Sequence, residues 1–124
     1  MAPAASPRDR DVGVDSWREQ IRRGALELAI LLSLARVPRY GLEIIRHLED
    51  ATDLVIAEGT VYPILARLTR DGLLESEWRD SDLHPRKYYR LTPPGRARLE
   101  HLTGSWEEFA GQISRLIAEA GGRA

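Results

Sequence analysis

Between Ala25 and Ala35 the chain reads Ala-Leu-Glu-Leu-Ala-Ile-Leu-Leu-Ser-Leu-Ala, with only Glu27 and Ser33 interrupting an apolar run. Leucine and alanine favour a helix. A helix that is apolar on nearly every side must be covered on several sides. At 124 residues the chain is one domain by size, with a modest core and little reserve. Cover from its own chain is therefore limited, and a partner chain is expected to supply the rest.

Upstream, Met1 to Val14 mixes Ala, Pro, Ser, Arg and Asp without periodicity and reads as a disordered arm over 1–14. It is either a frayed terminus or an arm that brings Arg8 and Arg10 to DNA. Ser16-Trp17-Arg18-Glu19 has the capping-box pattern, which places a helix start at Ser16 and a helix from there to about Leu34. After the break at Val37-Pro38-Arg39, Tyr40-Gly41-Leu42-Glu43 opens a second helix to about Glu49. Leu42, Ile44, Ile45 and Leu48 give it helical spacing, and Asp50 to Asp53 read as a turn. A third helix starts near Glu58-Gly59-Thr60. Val61, Ile64, Leu65 and Leu68 form its buried stripe, and Gly72 sits at its C-terminal end.

A hairpin follows. Leu74, Ser76 and Trp78 alternate with Glu75, Glu77 and Arg79, and Arg86 to Leu91 is the return strand. A register opposing Leu74 to Leu91, Ser76 to Tyr89 and Glu75 to Arg90 puts apolar partners on one face and opposite charges on the other. Trp78 is expected in the core at the base of this hairpin. Thr92-Pro93-Pro94-Gly95 then starts a last helix to about Ala118. Its stripe is Leu99, Leu102, Trp106, Phe109, Ile113, Leu116 and Ile117. The domain is complete before that stripe ends, which again implies a second subunit. The fold class is therefore mainly α with a small antiparallel β-hairpin. The expected architecture is a winged helix-turn-helix over 15–92, flanked by N- and C-terminal dimerisation helices, the latter over 93–120.

In such a fold the third helix, 59–71, is the recognition helix and the hairpin loop, 79–87, is the wing. A helix fits the DNA major groove and presents its N-terminal residues to base edges. Here those are Gly59, Thr60, Tyr62 and Pro63, with Arg67 one turn on. Thr60 and Tyr62 can donate to phosphate, and Arg67 can reach phosphate or a guanine edge. On the wing, Arg86 and Lys87 can follow the DNA backbone. The formal net charge of −1 argues against DNA. Locally the balance differs: residues 60–98 hold Arg67, Arg70, Arg79, Arg86, Lys87, Arg90, Arg96 and Arg98 against Asp71, Glu75, Glu77, Asp80 and Asp82.

Two elements together carry a family resemblance. Glu58-Gly59-Thr60-Val61-Tyr62-Pro63-Ile64-Leu65-Ala66-Arg67-Leu68 with Asp71-Gly72-Leu73-Leu74-Glu75-Ser76-Glu77-Trp78 resembles the core signature of the PadR-like transcriptional regulators. Pro85-Arg86-Lys87-Tyr88-Tyr89-Arg90-Leu91-Thr92 resembles that family's wing-strand motif. The likeness spans about residues 20–103. It implies a dimeric winged-helix regulator, commonly a repressor of nearby genes, and many such proteins respond to small aromatic or amphipathic compounds. It also maps Thr60, Tyr62, Pro63, Arg67 and Lys87 onto DNA-facing positions. Two departures stand out. Glu58 occupies a place that is often proline, and Tyr40-Gly41 reverses the usual Gly-Tyr of the second helix. The short C-terminal part leaves the final helix to form the homodimer, packed on the partner's first helix.

Trp106 and Phe109 on that helix, with Trp17 on the first, are candidates to line an aromatic effector pocket at the dimer interface. Ordinary interface packing is the other reading. An enzyme is not expected: His47, His84 and His101 lie on separate elements, and no nucleophile elbow or phosphate-cradling glycine loop is present. The chain has no cysteine, and no cofactor or metal site is expected. The competing function is a winged-helix protein–protein interaction module without DNA binding. With no signal sequence or apolar run near the roughly 20 residues a membrane span needs, the expected location is the cytoplasm.

Overall fold

The computed structural model describes residues 7–52, 55–80 and 84–121, with the backbone alone for 7–12. Asp53, Asp82 and the wing tip over 81–83 lie outside the described residues. The element order is α1 (Pro7–Ser33), β1 (Arg39–Tyr40), α2 (Gly41–Thr52), α3 (Glu58–Arg70), β2 (Leu74–Arg79), β3 (Arg86–Leu91) and α4 (Pro93–Glu119). This is a helical fold with a small antiparallel sheet of order β1-β3-β2, as the pattern of elements implied.

One side of α1 supplies the centre of the core. Leu26, Ile30, Leu31 and Leu34 are buried there with Ile44, Ile45 and Leu48 of α2 and Val61, Leu65 and Leu68 of α3. Leu73, Leu74, Tyr89 and Leu91 close it from the hairpin. The two polar residues of the apolar run are both satisfied. The Ser33 hydroxyl donates to the Ile30 carbonyl at 2.6 Å. The Glu27 carboxylate accepts from Arg67 of α3 and Arg98 of α4, each at 3.0 Å.

Residues 7–14 of the expected arm belong to α1, so Ser16 is not an N-cap; residues 1–6 lie outside the described residues. The Ser16–Glu19 pattern lies mid-helix instead. Glu19 pairs along the helix with Arg22 at 3.2 Å and Arg23 at 3.7 Å. Arg8 and Arg10 fall within α1, and their side chains lie outside the described structure. α2 continues to Thr52, through part of the expected turn.

Local capping accounts for the joints. Arg39 Nε donates to the Ser33 carbonyl at 2.7 Å, which ties the break after α1 to its last turn. The Tyr40 N–H donates to Glu43 Oε1 at 3.1 Å, half of a capping box at the start of α2. The Ile56 N–H donates to Glu49 Oε2 at 3.0 Å and fixes the entry to α3. Gly72 has φ 77°, a conformation that favours glycine after a helix. Thr92 caps α4 by accepting from the Gly95 N–H at 3.1 Å, while its own hydroxyl donates to the Gly72 carbonyl at 2.6 Å.

The hairpin register has Leu74 opposite Leu91, Glu75 opposite Arg90 and Ser76 opposite Tyr89, as the alternation required. The Arg90–Glu75 pair closes at 2.7 Å. β1 has no counterpart in the sequence reading. It pairs Arg39 with Tyr89 and Tyr40 with Tyr88, and two residues are too few to show a period. Trp78 is not core: it is 69% exposed, because the hairpin runs past the end of the core. α4 divides along its length. Leu99 and Leu102 pack on the core, whereas Trp106, Phe109, Ile113, Leu116 and Ile117 are exposed. On α1, Val14, Trp17, Ile21 and Leu32 form a second exposed apolar row.

Two glycines test this packing in opposite directions. A Cβ on Gly95 would collide with the Leu73 carbonyl, whereas one on Gly104 meets open space. Gly95→Ala is expected to destabilise by about 1–3 kcal/mol. Gly104→Ala is expected to stabilise by about 0.5–1 kcal/mol, the helix-propensity gain. Urea unfolding at one fixed protein concentration measures both.

Candidate nucleic-acid interface

The outward surface of α3 is set by its period. Burial of Val61, Leu65 and Leu68 turns Gly59, Pro63, Ala66 and Arg70 to solvent, with Tyr62 on one flank and Thr60 and Arg67 on the other. Ala57, at the N-cap, makes no side-chain cap bond, so no side chain there competes for the first-turn N–H groups. Pro63 lies inside the helix and withholds an N–H from the Gly59 carbonyl, a local cost of up to about 3 kcal/mol in a helix interior. A costly residue on an exposed helical surface suggests a demand other than stability.

Tyr62 leans toward the hairpin. Its ring lies over Gly41, where any Cβ would collide with it, so the reversed Tyr40-Gly41 order makes room for Tyr62. Burial, reinforced by Glu58, raises its phenol above the ordinary tyrosine value. Tyr89 is raised too, chiefly by burial and then by Tyr62. Both remain neutral O–H donors at physiological pH. Tyr62, Trp78, Lys87 and Tyr89 line a groove of about 550 Å³ between the start of α3 and the wing, with Tyr40, Gly41 and Arg86 at its edge.

The wing cations are held over rings. The Arg86 guanidinium lies 4.3 Å from the Tyr40 ring centroid, and the Arg79 guanidinium 4.5 Å from that of Tyr88. Tyr40 and Tyr88 meet edge to face at 5.5 Å. Lys87 Nζ stands 6.0 Å from Trp78 and 5.9 Å from Tyr89 on the other face of the hairpin. Rings orient Arg86 and Lys87 without neutralising them, whereas Arg79 is also paired with Glu77 at 2.8 Å.

The residues singled out from the sequence therefore divide. Tyr62, Arg86 and Lys87 meet at the groove, and Pro63 lies on the open surface beside it. Thr60 faces α1, beside Glu19, Arg22 and Arg23. Arg67 is bound to Glu27. Arg70, exposed and in line with Pro63 and Ala66, is the cation that this surface offers instead, loosely paired with Asp71 at 4.0 Å. The spacing 63, 66, 70 carries that signal, but proximity to the helix N-terminus favours Arg67. Trp106 and Phe109 line a separate cavity of about 350 Å³ between α1 and α4, with Gly24, Ala25 and Leu28. Trp17 is not among its lining residues and is 60% exposed on α1. Among the described residues there is no cluster of three or more acids or histidines able to hold a metal, and no helix is long and apolar enough to cross a membrane.

Glu27 makes α3 and α4 share one carboxylate. Glu27→Gln is expected to lower stability by about 0.5–2 kcal/mol, since both guanidiniums are partly solvated. The loss is expected to shrink at high salt. Paired denaturation curves at low and high ionic strength check this.

The described geometry has counterparts among known proteins. The profile of the transcriptional regulator PadR-like family matches residues 30–101. A transcriptional regulator of Mycobacterium tuberculosis is 37% identical over 94 residues, covering 76% of this chain and 87% of its own. The crystal structure of a PadR family transcriptional regulator from Eggerthella lenta superposes with a TM-score of 0.80 at 34% identity, over 89% of this chain and 96% of that one. A PadR-like transcriptional regulator from Bacillus cereus gives a TM-score of 0.73 at 31% identity, over 79% and 96%. By sequence, by element order and by superposition, the chain belongs to the PadR-like family of transcriptional regulators, a family of regulators rather than enzymes.

Proposed function

We propose that this chain is a sequence-specific regulator that binds duplex DNA as a homodimer, reads a roughly palindromic operator, and represses the genes it controls. The observation that carries the reading is the groove between α3 and the wing. Neutral phenol donors and wing cations converge there beside an open helical surface. The helix would enter the major groove with Tyr62 and Pro63 leading, while Arg86 and Lys87 follow the phosphates. Thr60 and Arg67 would contribute from the α1 side, Arg67 only on leaving Glu27.

The dimer follows from the uncovered stripe of α4. Phe109, Ile113, Leu116 and Ile117 are each worth about 1.5–3 kcal/mol when fully buried, and a second copy offers the matching exposed row on α1. Two-fold symmetry would set the recognition helices about one DNA turn apart, ~34–36 Å. The cavity beside Trp106 and Phe109 would lie at that interface, where a small aromatic or amphipathic effector could enter and release the DNA.

Fluorescence anisotropy with DNA from upstream of the protein's own gene tests the reading. Binding is expected to survive excess random duplex and to weaken steeply with salt. Lys87→Ala removes one phosphate contact from each subunit and is expected to make the log–log salt slope of the dimer shallower by about 2. Absence of binding even at low salt would favour the protein-interaction alternative. Light scattering tests the dimer: the parent is expected at twice the chain mass and Phe109→Asp at the monomer mass.

A further inference from the structure

Trp78 shares the inner face of the hairpin with Leu74 and Ser76, opposite Lys87. That face is buried at Leu74, Tyr89 and Leu91 and open at Trp78, which is 69% exposed. The hairpin outruns the core at this point, so the indole overhangs the starts of α2 and α3 and becomes a wall of the groove. Among the described residues no side chain or backbone carbonyl accepts its N–H. The Lys87 ammonium stands 6.0 Å from its ring centroid. Among the described residues lining the groove there is no carboxylate: the walls are aromatic, apolar or cationic.

We infer that Trp78 contacts DNA, its ring packing against a deoxyribose of the one strand that passes between α3 and the wing, with Lys87 on the adjoining phosphate. The inference rests on the DNA-binding reading above and adds to it a contact without charge. A sugar–phosphate strand alternates an apolar ring face with an anion. The groove offers an apolar ring beside a cation in matching order. In a duplex the bases stay stacked, so the surface that the indole meets is the sugar. Such a contact raises affinity without neutralising a further phosphate, and it leaves the salt slope unchanged.

The test uses the full chain with Trp17→Phe and Trp106→Phe, which leaves Trp78 as the reporter among its three tryptophans. Indole emission and the anisotropy of a labelled operator duplex are followed in one titration. Emission is expected to change in step with anisotropy. In the otherwise native chain, Trp78→Ala is expected to weaken binding about five- to thirty-fold at every salt concentration, with the parent's slope and melting temperature. Trp78→Phe is expected to fall between. Anisotropy that rises while indole emission stays constant, with Trp78→Ala binding like the parent, would overturn the contact and leave DNA binding standing. A Trp78→Ala chain that loses its cooperative melt, with no emission change in the reporter chain, would make the residue structural and also overturn it. A parent chain that binds no duplex would overturn both readings.

Discussion

Burial of one side of α1 holds this molecule together, and the other side of the same helix leaves it unfinished. Leu26, Ile30, Leu31 and Leu34 are shared by α2, α3 and the hairpin, so the helix-turn-helix has no core without them. Val14, Trp17, Ile21 and Leu32 on the same helix stay exposed. The apolar stripe of α4 is divided likewise, covered at Leu99 and Leu102 and bare from Trp106 onward. A chain that ends its own packing halfway along two long helices presents a large apolar surface, which marks an interaction site. Glu27 sits at the junction, with one oxygen on Arg67 of α3 and the other on Arg98 of α4. Movement of α4 against α1 would thus be felt at Arg67.

Charge is used sparingly. Much of the basic excess over residues 60–98 is engaged within the chain: Arg67 and Arg98 on Glu27, Arg90 on Glu75, and Arg79 on Glu77. Arg86 and Lys87 of the wing face outward, as does Arg70, which is only loosely paired with Asp71 at 4.0 Å. A formal net charge of −1 is compatible with a DNA-binding surface when the cations are placed and the acids are mostly paired. With few cations facing outward, the proposed pairing of two subunits on one site, and uncharged contacts, would matter more to affinity.

Elements with a long period were legible in the sequence. The stripe Val61, Leu65, Leu68 located α3, and the alternation of Leu74 to Arg79 set a hairpin register that the structure reproduces pair by pair. Short-range or end-dependent features were not. β1 is two residues and has no period. The start of α1 was misplaced because Ser16–Glu19 satisfies a cap and a helix interior equally. Trp78 was assigned to the core because alternation tells which face a residue occupies, not how far the core extends beneath that face. Arg67 was grouped with Tyr62 because spacing along one helix says nothing of Glu27, forty residues away in sequence.

The central claim is that two copies of this domain present paired recognition helices to one DNA site. Hydroxyl-radical footprinting of the operator-containing duplex tests it most directly. The account predicts two protected patches whose centres lie one helical turn apart, about 10–10.5 base pairs, with both patches lost together in Phe109→Asp. A single patch, or two patches that persist in a monomeric Phe109→Asp chain, would contradict it.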